Sequence, residues 1–325
     1  MEYPTTLQQA IQYFSDEQTC IDAVADMRWF DGALCPDCTG ENRKNPYYLK
    51  TQKRWKCRFC RRQFSVKVGT IFEESPIPLQ KWLPALWLLT NCKNGVSSWE
   101  LHRALGVTQK TAWFMLHRLR LALKPSHSPT KMGSSDGAEI EVDETFIGGR
   151  IQNMHKDRKL RYQQSGGVFG GKTIVAGLLD RDARKVRASV VPDVKRETLQ
   201  NNILQNVKHG STVYSDDAIA YADGLNARYV HEVVNKTETY VRGQVHVNGM
   251  ENFWSLLKRG LKGTYVAVEP FHLERYLDEQ IFRYNNRATK DNPLNDRDRF
   301  LLALSQVANK RLTYKELTGK DEIPF

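Results

Sequence analysis

The sequence predicts a multidomain chain: a small cysteine ribbon and a helical region, followed by a larger α/β domain. Three observations predict it. Two Cys-x-x-Cys pairs lie within residues 35–60; a helix, a glycine turn and a capped helix occupy residues 97–123; and strand patterns flank a helical one after residue 138. A length of 325 residues suits two or three domains rather than one. A composition of 40% hydrophobic and 26% charged residues belongs to folded protein and excludes a disordered chain.

Charge narrows the partners. Lys plus Arg number 48 against 37 Asp plus Glu, a net charge of +11 with a pI near 9.3. A surplus of that size favours a polyanion through counterion release, and nucleic acid is the commonest such partner. A membrane is the rival, but no basic stretch carries a strong apolar face. The longest apolar run, Trp82 to Leu89, contains Pro84 and falls short of the roughly 20 residues of a span. Met1-Glu2-Tyr3-Pro4 lacks the basic-then-apolar layout of a secretory signal. The expectation is a soluble protein of the cytoplasm with no membrane partner.

Residues 1–30 read as an N-terminal helical segment and residues 31–68 as the ribbon. Cys35, Cys38, Cys57 and Cys60 follow the pattern C-x2-C-x18-C-x2-C. Two knuckles of this kind supply four thiolates at the corners of a tetrahedron, which is how structural zinc is held. Two disulfides are the alternative, disfavoured in a cytosolic basic protein. Four protein ligands leave no open position, so the ion stabilises the ribbon and does no chemistry. Cys20 and Cys92 fall outside the pattern and read as core residues. Lys53, Arg54, Lys56, Arg58, Arg61 and Arg62 interleave with Trp55 and Phe59, a cationic and aromatic surface suited to DNA phosphates. A merely solvated ribbon face is the plainer alternative.

Residues 76–124 read as a helix-turn-helix domain. One helix covers Pro78 to Leu89, a second Ser97 to Leu105 with a serine cap, and Gly106-Val107 makes the turn. Thr108 caps a third helix running to about Leu123. The last helix of such a motif can enter the major groove. Gln109, Lys110 and Thr111 fall in its first turn, where base edges are read; Trp113, Leu116 and Leu119 take the buried side, and Arg118 and Arg120 point outward. An ordinary helical hairpin is the alternative. Residues 125–137, rich in Ser, Pro and Gly, read as a linker.

The second domain spans residues 138–290, with residues 291–325 as a C-terminal helical segment. Ala138 to Ile147 alternates as a strand, with Glu139, Glu141 and Asp143 on one face and Ile140, Val142 and Glu144 on the other. After a basic loop, Arg150 to Gly171, strands are expected at Thr173–Leu179 and Val186–Val191 with Asp180-Arg181-Asp182 at the turn. A helix follows over Glu197–Val207, then a strand from Thr212 ending at Asp216 and another at Tyr229–Val234. This is the order of an RNase H-like sheet, in which the first and fourth strands are neighbours. Asp143 and Asp216 can then meet at one rim, joined by Glu251 in the first turn of a helix over Gly249–Arg259. Three such carboxylates can hold two magnesium ions roughly 4 Å apart, with manganese as a substitute. Lys258, two helical turns beyond Glu251, is placed to hold a phosphate, and Arg259, Lys262 and Tyr265 extend that strip. Each acid also has a structural role open to it: a sheet edge for Asp143, an Asx turn for Asp216 or Asp217, and a capping pair Asn248-x-x-Glu251. Together, in this element order, they favour catalysis.

Several blocks carry a resemblance: Arg28-Trp29, Cys35-Pro36-Asp37-Cys38, Gly69-Thr70-Ile71-Phe72, Glu141-Val142-Asp143-Glu144, the run from His246 to Arg259, and Arg283-Tyr284-Asn285-Asn286-Arg287. From about Asp16 to Arg287 the chain resembles bacterial insertion-sequence transposases with a zinc ribbon and a DDE domain, the ISXO2-like group related to Merlin elements. The resemblance implies Asp143, Asp216 and Glu251 as the three acids, with Lys258 as a further member. Tyr221 stands where the family's tyrosine follows its second acid, and Asp217 departs from the glycine common there. It also implies hydrolysis at the element ends followed by attack of the freed 3′-hydroxyl on target DNA. The DNA partners are the terminal inverted repeats and the target duplex, bound by at least a homodimer associated with the nucleoid. Two rivals remain: a DNA-binding regulator with an inactive nuclease domain, and an RNase H-like nuclease or resolvase without strand transfer.

Overall fold

The computed structural model describes residues 3–124, 130–133, 137–148, 156, 160, 172–216, 228–234, 246–290 and 292–319. Asp217, Tyr221 and most of both the linker and the basic loop from Arg150 to Gly171 lie outside the described residues. The chain divides into two units, one of residues 1–126 with 286–325 and the other of residues 127–285.

In the first unit, a capping box between Thr6 and Gln9 starts α1 (Leu7–Tyr13), and Asp16 caps α2 (Glu17–Arg28). A three-stranded antiparallel sheet follows, β1 (Tyr47–Leu49), β2 (Arg54–Lys56) and β3 (Gln63–Phe64), in that spatial order. Its core is small: Cys35, Cys57 and Phe64 are buried, with Trp29 and Trp55 packed against them. Arg28 at the end of α2 donates to the Val66 and Val68 carbonyls, tying the helix to the chain just beyond the ribbon.

Next, α3 (Leu79–Asn91) buries Trp82, Leu83, Leu86, Trp87 and Leu89. A Ser97–Glu100 capping box opens α4 (Ser98–Leu105), and Gly106 ends it at φ +60°, a left-handed conformation that a Cβ disfavours. Thr108 then caps α5 (Gln109–Leu123). Helices, caps and the turn glycine stand within a residue or two of the sequence expectation.

The far C-terminal residues complete this unit. Phe300 of the helix Asp296–Ser305 packs, with tilted rings, against Phe14 and Trp87, at ring-centre distances of 5.3 Å each. Leu312 and Leu317 close over Phe114 of α5, and Lys310 donates to the Ala122 carbonyl at 3.0 Å. As a result α5 is buried along most of its length. Arg118 is 5% exposed and Arg120 1%, which corrects the outward placement expected for both. The physical reason is the returning chain: Arg118 donates to the Leu312 and Glu73 carbonyls, both at 2.9 Å, and lies over the Phe114 ring. A local periodicity cannot report a cover supplied by residues nearly two hundred positions away.

The second unit is a five-stranded sheet. Its strands are β4 (Glu139–Ile147), β5 (Thr173–Asp180), β6 (Lys185–Val191), β7 (Thr212–Asp216) and β8 (Val230–Val234), in the spatial order β6-β5-β4-β7-β8. The β4–β5 and β5–β6 pairs are antiparallel, while β4–β7 and β7–β8 are parallel. Between β6 and β7 runs α6 (Arg196–Asn206); after β8 come α7 (Asn248–Gly260) and α8 (Leu273–Asn285), and the helix Asp296–Ser305 of the first unit is α9.

Strand alternation divides the core. Ile140, Val142, Ile174 and Val213 pack with Leu199 and Ile203 of α6 on one face. On the other face Val175, Leu179 and Val186 pack with Met250, Phe253, Trp254 and Leu257 of α7 and with Leu273 and Leu277 of α8. The edge strand β6 is covered at Val186, whose N–H donates to Asn285 Oδ1 at 2.7 Å while Asn285 Nδ2 donates to its carbonyl at 2.9 Å. The amide of Asn285 thus does locally what a neighbouring strand would do. No helix among the described residues is long and apolar enough to cross a membrane.

Candidate active site

One cluster of sulfurs and a set of carboxylates on adjacent elements bear on function. In the ribbon the sulfurs of Cys35, Cys38, Cys57 and Cys60 all lie within 4.8 Å of one another. Cys35 Sγ and Cys60 Sγ are 3.7 Å apart, and Cys38 Sγ and Cys57 Sγ 3.8 Å. A tetrahedron with zinc–sulfur arms of 2.3 Å has edges of about 3.8 Å, so the quartet fits structural zinc. All four cysteines are free of disulfides, which removes that alternative. Backbone N–H donors, that of Cys60 first, lower the Cys57 thiol to about 7, while desolvation raises Cys35 and Cys38, so the thiolate character of the quartet is uneven before a metal enters. Around this centre Arg54, Arg58, Arg61 and Arg62 are exposed and Lys56 is half-buried. Arg58 lies over the Tyr47 ring, Arg62 pairs with Asp37, and Phe59 is 67% exposed.

The first turn of α5 is less open than its residue types imply. Gln109 donates to Ser98 Oγ at 2.8 Å, and Thr111 is buried at the cap, its hydroxyl 2.8 Å from that of Thr108. Lys110 is exposed, 5.7 Å from the centre of the Tyr314 ring.

The carboxylates are arranged by the sheet. The parallel register pairs Glu139 with Thr212 and Glu141 with Tyr214. The recorded pairing ends there; Asp143 lies two residues further on, in the middle of β4, and Asp216 two residues further on, at the carboxyl end of β7. Asp143 is 7% exposed. Asp216 Oδ1 is buried with no hydrogen-bond partner among the described residues.

Helix α7 is laid on β4 by two contacts. The Met250 N–H donates to Glu141 Oε2 at 2.8 Å, and Trp254 Nε1 donates to Asp143 Oδ2 at 3.0 Å. Glu251 falls between these two anchors and is exposed, one turn before Trp254 on the same helix face. Two glycines permit the approach: a Cβ on Gly249 would sit 2.8 Å from Glu141 Oε2, and one on Gly177 would sit 2.3 Å from Met250 Cε and 2.7 Å from the Trp254 ring. The capping pair open to Asn248 and Glu251 is not what starts the helix. Its N-cap is Val247, with no side-chain cap bond, and Glu141 serves the first-turn amide from outside.

Glu141 is itself 1% exposed and is neutralised by Arg181, whose Nε donates to it at 2.8 Å. Arg181 also donates to Glu139 at 2.9 Å and to the His246 carbonyl at 2.7 Å, and its guanidinium lies 4.3 Å from the Tyr214 ring centre. The Arg181 hydrogen bond, and then that of Tyr214, holds Glu139 below the usual carboxylate range. The sequence reading put Arg181 in a turn and missed both this network and Trp254. The spacing of Trp254, three residues after Glu251, was the available signal.

The three acids do not form a tight triad: among the described residues the cysteine quartet is the one group of three or more metal-ligating side chains closed within 4.8 Å. Lys258 lines a cleft of about 530 Å³ between the end of β4 and the turn after α7, and Lys262 lines it too. Arg259 is exposed.

Comparisons agree on the family. Residues 135–285 match the family described as the ISXO2-like transposase domain, and residues 15–63 match the transposase zinc-ribbon domain. The chain is 26% identical over 258 residues to an uncharacterized protein in transposable element ISH50 of Halobacterium salinarum, covering 77% of this chain and 85% of that protein. It is 35% identical over 107 residues to an uncharacterized transposase-like protein of Haemophilus influenzae, covering 33% of this chain and 85% of the relative. Among solved structures, a chain of the simian T-cell lymphotropic virus intasome in complex with PP2A regulatory subunit B56 gamma aligns at a TM-score of 0.31 and 14% identity, over 67% of this chain and 74% of that one. A likeness that slight carries no argument.

Proposed function

Because the chain belongs to the ISXO2-like insertion-sequence transposases, we propose that it binds the terminal inverted repeats of its element, cleaves DNA at the ends and joins the freed 3′-hydroxyls to target DNA. The chemistry is assigned to an RNase H-like domain, a reading supported by the parallel pairing of the first and fourth strands of the sheet. Asp143, Asp216 and Glu251 are its acids.

The observation that carries this is the parallel pairing of β4 with β7, which puts Asp143 and Asp216 on adjacent strands two residues beyond Glu141 and Tyr214, with Asp216 Oδ1 buried and unpaired among the described residues. A buried carboxylate oxygen without a donor costs about 1–3 kcal/mol or more, and a cation relieves that cost. Asp143, Asp216 and Glu251 would hold two divalent ions between them, with no single ion needing all three acids. Acids of such a site need not close into one small cluster. Magnesium, or manganese in its place, would supply electrostatic stabilisation at the scissile phosphate. The chain's own residues do the rest. Trp254 orients Asp143, Glu141 fixes the helix bearing Glu251, and Lys258 holds a neighbouring phosphate as a point charge. The exposed Arg54, Arg58 and Arg61 of the ribbon, with Lys56, contact the repeat backbone, and Lys110 extends that contact. Arg118 is excluded by its burial. Two element ends call for at least a dimer on DNA.

A strand-transfer assay with labelled element ends, with and without magnesium, tests the reading. Joined products that require magnesium support it, whereas nicks without joining favour a nuclease. Asp143→Asn is expected to abolish cleavage while repeat binding stays within a few-fold; cleavage retained by that variant removes the assignment.

A further inference from the structure

After α7 the chain continues as a π-helical turn, Leu261–Tyr265, and then reverses at Val266. Val266 has φ +61° and ψ −56°, and the Ala267 N–H donates to the Tyr265 carbonyl at 2.7 Å. This is a γ-turn of the rarer hand, strained even for small residues. A β-branched residue there is a genuine outlier. Burial does not explain it, since Val266 is 78% exposed. Tyr265, immediately before it, is anchored by its hydroxyl to the fully buried Glu279 of α8. The strained valine is therefore an apolar tip on a rigid mount.

What lies beside it is charged. Val266 lines the 530 Å³ cleft, together with Lys172, Lys258 and Lys262 and, among the described residues, one acid, Glu269. Its apolar lining includes Ile147, Leu261 and Val268, which also pack with the core beneath α7. Three cations around an apolar pocket match a nucleotide, which offers phosphate at one end and a flat base at the other. Lys258 stands two helical turns beyond Glu251, roughly 10 Å along α7 at 1.5 Å per residue. That is about three base steps at 3.4 Å each.

We infer that this cleft receives an unpaired nucleotide of the element end, with Lys172 and Lys262 on its phosphates and Val266 as the wedge that takes it out of the stack. Apolar side chains that unstack a base step are an established way of deforming duplex DNA. The inference rests on the nuclease reading only for where the DNA lies, and its test reads base stacking rather than cleavage.

The probe is a duplex element end with 2-aminopurine placed in turn at each position flanking the cut, titrated with the full chain in magnesium-free buffer. A several-fold rise in fluorescence at one position is expected, kept by Asp143→Asn and lost in Val266→Gly. Glycine accepts the positive φ, so that variant is expected to melt no lower than the parent, which separates loss of the wedge from misfolding. Lys172→Ala and Lys262→Ala should each lower the salt slope of end binding by about 1. No fluorescence rise at any position, or an undiminished rise in Val266→Gly, overturns the proposal whether or not the protein cleaves. A rise that behaves as described, together with absent cleavage, keeps the cleft and sinks the nuclease reading instead.

Discussion

Trp254 donates its indole N–H to the carboxylate of Asp143 at 3.0 Å, and so joins the helix that carries Glu251 to the strand β4. A hydrogen bond to a charged acceptor contributes about 1.5–3 kcal/mol. Trp254→Phe keeps the apolar packing and removes the donor. Single-turnover cleavage is expected to fall roughly 10- to 100-fold with repeat binding unchanged. A full-rate variant would mean that the bond positions nothing.

Glu141 is the second anchor, buried and shared between Arg181 and the Met250 amide. Breaking a buried pair by neutralising one partner costs about 3–5 kcal/mol. Glu141→Gln is expected to lower the denaturant midpoint of the second unit and, by loosening α7, to slow cleavage. A midpoint equal to that of the parent would contradict the role.

Glu139 makes the network pH-dependent. Its folded-state pKa is depressed, chiefly by the hydrogen bond from Arg181. The stability it contributes is present above the unfolded value, about 4.3, and is lost as pH falls through the folded value. The difference in melting temperature between parent and Glu139→Gln should be constant near neutrality and vanish in acid. A difference that grows on acidification has the wrong sign.

Zinc removal offers a separate check. The ribbon core is little more than Cys35, Cys57, Phe64 and the two tryptophans around them. Structural zinc in comparable peptides contributes about 10–16 kcal/mol of apparent binding energy. Stripping the ion with a strong chelator is expected to red-shift the emission of Trp29 and Trp55 and to weaken repeat binding, with recovery on adding zinc. Unchanged end affinity after verified zinc loss would separate the ribbon from DNA recognition.

Arg118 should behave as a structural residue. Arg118→Ala deletes donors to two carbonyls and leaves them buried, at a cost of about 2–4 kcal/mol. Chemical denaturation is expected to show that loss, while at temperatures where the variant is folded its repeat affinity matches the parent. A selective loss of affinity without loss of stability would restore a DNA-contacting role.

Much of this architecture was legible in the sequence, because its signals are local. The cysteine spacing, the serine and threonine caps, Gly106 and the alternation of Ile140 and Val142 each act over a few residues. The parallel pairing of β4 with β7, the strands that carry Asp143 and Asp216, was legible as topology, through the order of the elements. Arg118 was misread because its cover arrives from Leu312, and Arg181 was passed over because nothing near Asp180 announces that Glu139 and Glu141 meet it from the neighbouring strand β4, some forty residues earlier. Long-range burial has no period to detect.

The return of residues 286–325 to the first unit also fixes an order of events at the ribosome. Residues 1–126 emerge first but lack Phe300, Leu312 and Leu317 until the intervening unit has been made. At the usual pace of synthesis that wait is roughly 10–40 s. The half-built unit would spend it with Trp87 and Phe114 uncovered, a window in which chaperone capture competes with maturation.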